Sequence, residues 1–198
     1  MRKVVATVSV TLDGVMQAPG RADEDTRGGF GHGGWATPYA DRVMMETMGK
    51  GMAQAGPLLF GRRTYEDFQG VWAGRDDNPF SAVLDNAPKF VATRTLDTLS
   101  WQNSTRLEGE AERAVEKLKG EAGPDIGILG SGDLLRCLMR AGLVDTLVLL
   151  IHPLLLGTGR RLFDDVASRV SLRLSDSVAT TTGVVIATYH LEREGAEA

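Results

Sequence analysis

Cysteine is almost missing from this chain. One residue, Cys137, stands among 198, which excludes an internal disulfide and any cysteine-rich metal site. It falls among Leu134, Leu135, Leu138 and Met139, so it reads as a buried, inert thiol. Basic blocks are missing too. Lys and Arg number 22 against 26 Asp and Glu, and a nucleic-acid surface needs clustered positive charge. His32, His152 and His190 show no paired spacing, so no metal is expected. No apolar run is long enough to span a membrane. The stretch Met1-Arg2-Lys3-Val4-Val5-Ala6 has too short an apolar part for a signal peptide, and a cytoplasmic location is the expectation. There is no Ser-His-Asp order, no nucleophile elbow, no internal repeat and no linker. The expected organisation is one domain over 1–192 with a polar tail over 193–198.

What is present is an alternation of strand and helix signals. Val4 to Leu12 reads as a first strand rich in Val and Thr, turned by Asp13-Gly14. Arg21 to Gly34 is a long polar, glycine-rich loop bracketed by Phe30 and Trp35, and loops of that length are usually functional or disordered. Thr37-Pro38 can open a helix, in which Val43, Met44, Met48, Met52 and Ala55 recur at core spacing. Pro57 to Phe60 is a short buried strand, followed by helix over Tyr65 to Phe68. Gly70 to Asn86 reads as mixed surface structure. Lys89 to Thr93 is a strand, Leu99 to Leu107 a weak one, and Glu110 to Glu121 an amphipathic helix. Ile126 to Leu129 is a strand that turns through Gly130-Ser131-Gly132 into a helix reaching Ala141. Val144 to Ile151 reads as a doubly buried strand. Val170–Leu174 and Gly183–Leu191 alternate as closing antiparallel strands. The fold class is α/β: a three-layer αβα arrangement around a mixed, mostly parallel sheet with antiparallel C-terminal strands.

Three strand ends carry groups that suit phosphate. They are Gly61-Arg62-Arg63-Thr64, Thr93-Arg94 and Gly130-Ser131-Gly132-Asp133. A strand turning tightly into a helix aims backbone N–H groups and the positive end of the helix dipole at one point. Ends of parallel strands share one edge, where open α/β folds bind ligands. Two arginine-bearing turns and one glycine turn on that edge favour a ligand with more than one phosphate, such as a dinucleotide. No Gly-x-Gly-x-x-Gly follows the first strand, so this is not the usual dinucleotide fingerprint.

Ser9 with Leu12-Asp13-Gly14, the run Leu59 to Glu66, Val91-Ala92-Thr93-Arg94, the Gly130 turn, and Val144-Asp145 through His152-Pro153 to Gly157 and Phe163 together form a recognisable pattern. The chain resembles the dihydrofolate reductase-like family, in particular the branch containing the reductase domain of bacterial riboflavin biosynthesis. The resemblance implies NADPH as cofactor and hydride transfer to a small heterocyclic, pterin- or pyrimidine-like substrate. It implies that Gly61, Arg62, Arg63 and Thr64 meet the cofactor's phosphates. Thr93 and Arg94 would meet its 2′-phosphate, and Gly130, Ser131, Gly132 and Asp133 its pyrophosphate. Asp13 and the loop beyond would approach the nicotinamide and substrate, Trp35 would meet substrate, and Asp41 would be the acid that assists protonation. Asp41 read from its position alone could equally be a dipole-favoured helix-start carboxylate. The rival reading is a nucleotide- or drug-binding module on the same scaffold without turnover. Related reductase domains commonly pair, so a homodimer is expected, with no nucleic-acid or membrane partner.

Overall fold

The computed structural model describes residues 1–53, 56–164 and 169–192. The proposed tail at 193–198 and Ala55 of the methionine stripe lie outside the described residues. Eight strands are hydrogen-bonded in one mixed sheet. In chain order they are β1 (Val4–Thr11), β2 (Leu58–Gly61), β3 (Lys89–Ala92), β4 (Ser104–Arg106), β5 (Ile126–Leu129), β6 (Thr146–His152), β7 (Ser171–Ala179) and β8 (Val185–Glu192). Their order across the sheet is β4-β3-β2-β5-β1-β6-β8-β7. The helices are α1 (Arg42–Ala53), α2 (Arg62–Trp72), α3 (Pro79–Asn86), α4 (Ala111–Gly120) and α5 (Gly132–Arg140). Contacts divide the chain into two compact units, Met1–Ala6 with Lys50–Val144, and Thr7–Gly49 with Asp145–Ala198. Each is described by itself.

The first unit is the parallel part. β2 pairs with β3 and with β5, and β3 pairs with β4, all in parallel. Leu58, Leu59 and Phe60 are all buried, as expected of a strand covered on both faces. Leu58, Phe60, Tyr65, Leu84, Val91 and Trp101 form its core, and the Trp101 N–H donates to the Tyr65 hydroxyl at 3.0 Å. Two elements differ from the sequence reading. Helix α2 begins at Arg62 and runs to Trp72, because its charged first turn hides the apolar spacing that starts at Tyr65. The stretch read as mixed surface structure contains α3, whose Asn78 side chain accepts from the Phe80 N–H at 2.9 Å and whose Pro79 occupies the first turn. Two turns are too few to display a period, yet Leu84 is fully buried. Cys137 is half-buried rather than buried. Its thiol donates to Glu112 Oε1 at 2.7 Å, and burial with the adjacent carboxylate pushes its pKa up to about 11. The inert reading stands for that reason.

The second unit is antiparallel. β8 pairs with β6 on one side and β7 on the other. Leu150, Val184 and Ile186 make its core, with Met44 and Met48 of α1 packed on it. The helix expected to open at Thr37-Pro38 does not begin there. Thr37–Tyr39 makes a single 3-10 turn, Ala40 is extended, and α1 begins at Arg42. Asp41 decides the start, because its Oδ1 accepts from the Met44 N–H at 2.7 Å, the bond of a helix N-cap. β7 is longer than its alternating segment suggested and exposed over most of its length, with a bulge between Leu174 and Asp176. A bulge on the last strand of a sheet discourages further pairing.

Candidate functional site

Register places three strand ends side by side within the first unit. Gly61 of β2 is level with Ala92 of β3, and Leu59 of β2 with Ile128 of β5. The segments that follow, Arg62-Arg63-Thr64, Thr93-Arg94 and Gly130-Ser131-Gly132, therefore leave the sheet on one edge. At the centre the chain makes two consecutive left-handed residues, Gly130 (φ 61°) and Ser131 (φ 51°). A non-glycine residue in that region is uncommon and costs energy. Here a specific bond offsets the cost. The Ser131 side chain is 8% exposed, and its Oγ accepts from the Gly61 N–H at 3.1 Å. That bond locks the β5 turn to the β2 turn.

The Ser131 hydroxyl is thus turned away from its own helix. Neither α2, entered from Gly61, nor α5, entered from Ser131, has a side-chain cap. Two helix N-termini with uncapped first turns sit beside one another, an arrangement suited to anions. The two turns are in contact. A Cβ on Gly61 would lie 3.6 Å from Leu134 Cβ, and one on Gly130 would lie 3.5 Å from Thr64 Cγ2, which are ordinary van der Waals distances. Glycine at 130 is required by its positive φ rather than by crowding.

The arginines are arranged around that backbone. Arg62 pairs with Glu66 at 3.2 Å and Arg63 with Asp133 at 3.4 Å, all on the surface. Asp133 also pairs with Arg136, so the carboxylate expected among the phosphate contacts is surrounded by guanidinium groups. Arg94 reaches Glu110 Oε2 at 2.7 Å. Thr93 Oγ1 accepts from the N–H groups of Thr95 and Leu96 and so shapes the turn that carries Arg94. Sequence reading missed two residues here. Arg106 ends β4 level with Val91, and Glu110 faces Arg94. The signal for Arg106 was an arginine in the weak strand Leu99–Leu107. Nothing in the chain order announced that Glu110 would meet Arg94.

The remaining candidates belong to the second unit, where the structure gives each a packing or hydrogen-bonding task. Asp41 Oδ2 accepts from the Thr181 N–H and hydroxyl at 2.6 and 2.5 Å. These bonds hold its pKa below the ordinary aspartate value. Trp35 is 6% exposed, donates from Nε1 to the Gln17 carbonyl at 2.7 Å and packs with Val15, Ala18 and Phe30. Its indole packs into the core of the glycine-rich loop. His152 is buried beneath the edges of Trp35 and Tyr39 and donates from Nδ1 to the Leu150 carbonyl at 2.9 Å. Gln17 completes the loop by donating to the carbonyls of Asp25 and Arg27 and accepting from the Arg160 N–H.

Asp13 organises a second loop. Its carboxylate accepts from Thr11 Oγ1 at 2.6 Å, Gly157 N at 2.8 Å and Leu156 N at 3.2 Å, with Arg161 alongside. The Thr11 hydroxyl above all, with the loop amides, holds its pKa down to about 2 from 3.8. A depressed carboxylate stabilises the fold fully above its unfolded pKa and loses that contribution as pH falls through the folded value. The stability difference between the unchanged protein and Asp13→Asn should therefore be constant above about pH 5 and shrink as pH falls through 3.8 towards 2. Urea titrations of both proteins across that range check it. A difference independent of pH would mean that the carboxylate charge contributes nothing there.

The chemistry of the β3-β2-β5 edge fits a nucleotide cofactor with several phosphates. It supplies backbone donors at the centre and guanidinium groups around them. Residues 2–186 match the model of the RibD C-terminal domain. The chain is 27% identical over 194 residues to the uncharacterized protein YyaP of Bacillus subtilis (strain 168), covering 96% of this chain and 95% of that one. Among solved structures it superposes on a candidate riboflavin biosynthesis protein of Shewanella sp. PV-4 with a TM-score of 0.69 at 19% identity, covering 96% and 99% of the two chains. A pyrimidine reductase-like protein of Corynebacterium diphtheriae gives a TM-score of 0.64 at 13% identity, covering 98% and 93%. The fold is that of the dihydrofolate reductase-like proteins, and the chain belongs to the RibD C-terminal domain family.

Proposed function

We propose that this protein is an NADPH-dependent reductase acting on a small heterocyclic, pterin- or pyrimidine-like substrate, with the β3-β2-β5 edge holding the cofactor's phosphates. The observation that carries this reading is the Ser131–Gly61 lock. It spends a strained residue and a buried hydroxyl on holding two turns together, and it leaves the starts of α2 and α5 without side-chain caps. Backbone N–H groups of the first turns of α2 and α5 would donate to pyrophosphate oxygens. Arg62 and Arg63 would neutralise the same charge from the rim, and Arg94 would take the phosphate on the adenosine ribose. The cofactor when bound supplies hydride, and the protein's share is binding and orientation.

A second reading is binding without turnover: the carboxylates of Asp13 and Asp41 are each engaged by hydrogen bonds within their own unit. One titration and one assay separate the possibilities. NADPH added to the protein should quench tryptophan fluorescence saturably, and a panel of reduced pterins and pyrimidines should include at least one compound that consumes NADPH. Binding with no consumption by any of them selects the second reading. Absence of binding overturns both.

A further inference from the structure

The Arg94–Glu110 pair is placed where the proposed cofactor's ribose phosphate would be read, and Arg94 is the hydrogen-bond partner of the Glu110 carboxylate. Glu110 occupies the N-cap position of α4, yet its side chain makes no cap bond. Glutamate is not among the residues favoured there, which are Ser, Thr, Asp and Asn. Its Oε2 lies instead 2.7 Å from Arg94 Nη2, with the two side chains 62% and 79% exposed. The neighbouring acid, Glu112, is engaged by the Cys137 thiol at 2.7 Å, and its charge also interacts with Arg94 at longer range.

A carboxylate and a guanidinium at the end of a strand read opposite features of a nucleotide. A carboxylate accepts from the 2′-hydroxyl of an unphosphorylated ribose. An arginine accommodates the 2′-phosphate. Here both groups are present and bound to one another. We propose that Glu110 competes with the cofactor's 2′-phosphate for Arg94, and thereby sets the protein's selectivity between NADPH and NADH below what Arg94 alone would give. The proposal rests on the reading of this edge as the cofactor site.

Binding of a 2′-phosphate exchanges one partner of Arg94 for another. An exposed ion pair contributes only about 0.2–1 kcal/mol, so a phosphate displaces Glu110 but loses part of its advantage in doing so. A dinucleotide lacking that phosphate leaves the pair intact and gains an acceptor for its hydroxyl. Glu110→Gln should therefore tighten NADPH by about 1.4- to 5-fold, the range that such a pair corresponds to, and should weaken NADH. The gain should be smaller in an Arg94→Ala background, because the competition then has no object.

The experiment is a double-mutant cycle. NADPH and NADH are titrated by calorimetry into the unchanged protein, Glu110→Gln, Arg94→Ala and the double variant. A higher NADPH-to-NADH affinity ratio in Glu110→Gln, with non-additivity in the double variant, supports the proposal. An unchanged ratio overturns it. So does an equal gain in both backgrounds, which would mean simple repulsion by Glu110 without competition. In either of these cases NADPH still binds and the cofactor reading survives. If the unchanged protein binds neither nucleotide, both readings fall together.

Discussion

Arg94→Ala should weaken NADPH binding by roughly tenfold or more and leave NADH binding nearly unchanged. The expectation starts from the backbone. Arg94 follows β3 by two residues, and β3 is paired on both sides, with β2 and with β4. The Thr93 hydroxyl accepts from two amides of the next turn, so the residue is anchored while its side chain extends into solvent. A guanidinium pairs with a phosphate through two parallel donors, and a charge-assisted bond of this kind contributes on the order of 1.5–3 kcal/mol. NADH lacks the phosphate and would lose little. Both nucleotides titrated on both proteins decide the matter, and the preference for NADPH should also shrink at high salt. Equal losses for the two nucleotides would make Arg94 a structural residue.

The second large effect is on stability. Lys89 opens β3 and is 0% exposed. Its ammonium donates to the carbonyls of Asp85 at 3.2 Å, Ala87 at 2.9 Å and Gln102 at 3.0 Å, and it lies 4.5 Å from the centre of the Trp101 ring. Two of those carbonyls lie at the C-terminal end of α3, where a helix leaves acceptors without partners. Burial pushes the ammonium down to about 8, partly offset by Asp85. Lys89→Met keeps the apolar stem and removes three donors at once. The Asp85 carbonyl keeps a donor in Asn103 Nδ2 at 3.0 Å, so the Ala87 and Gln102 carbonyls are the ones that lose theirs. At about 1 kcal/mol or more for each, the variant should lose roughly 2 kcal/mol. That corresponds to a fall in melting temperature of roughly 4–8 °C for a chain of this size. Urea and thermal unfolding measure it. A loss under about 1 kcal/mol would show that water replaces the ammonium without penalty.

The β3 strand thus has a buried cation at its start and an exposed one just past its end, and the sequence does not tell them apart. Lys89 and Arg94 are both charged residues flanking the apolar run Phe90-Val91-Ala92. Only the position of α3 makes the first a donor to helix carbonyls. That helix was itself illegible, because eight residues beside Gly74 and Asp76-Asp77 show no period. Asp41 shows the same limit from the other direction. Its place before a helical pattern suits a cap or an acid equally. The cap bond to the Met44 N–H is local, whereas the partner of its second oxygen, Thr181, lies 140 positions further along the chain.

The sequence by itself determined the class of fold and the address of the candidate site. Apolar runs ending in glycine and followed at once by helical spacing can form only strand-to-helix turns, and turns of that kind after parallel strands share an edge. The turns at Gly61-Arg62-Arg63-Thr64 and Gly130-Ser131-Gly132, and the strand end at Thr93-Arg94, could be placed on one edge for that reason, since each property used is local: backbone freedom, charge and adjacency to a strand. Tertiary structure decided what each side chain is engaged with. Ser131 turns towards Gly61 rather than capping α5, and Arg94 faces Glu110. Trp35 packs into the core of its own loop. Asp13 gathers the amides of Leu156 and Gly157. Most of these partners are separated by many positions in the chain, and a hydrogen bond depends on distances of a few tenths of an ångström that residue order does not encode locally.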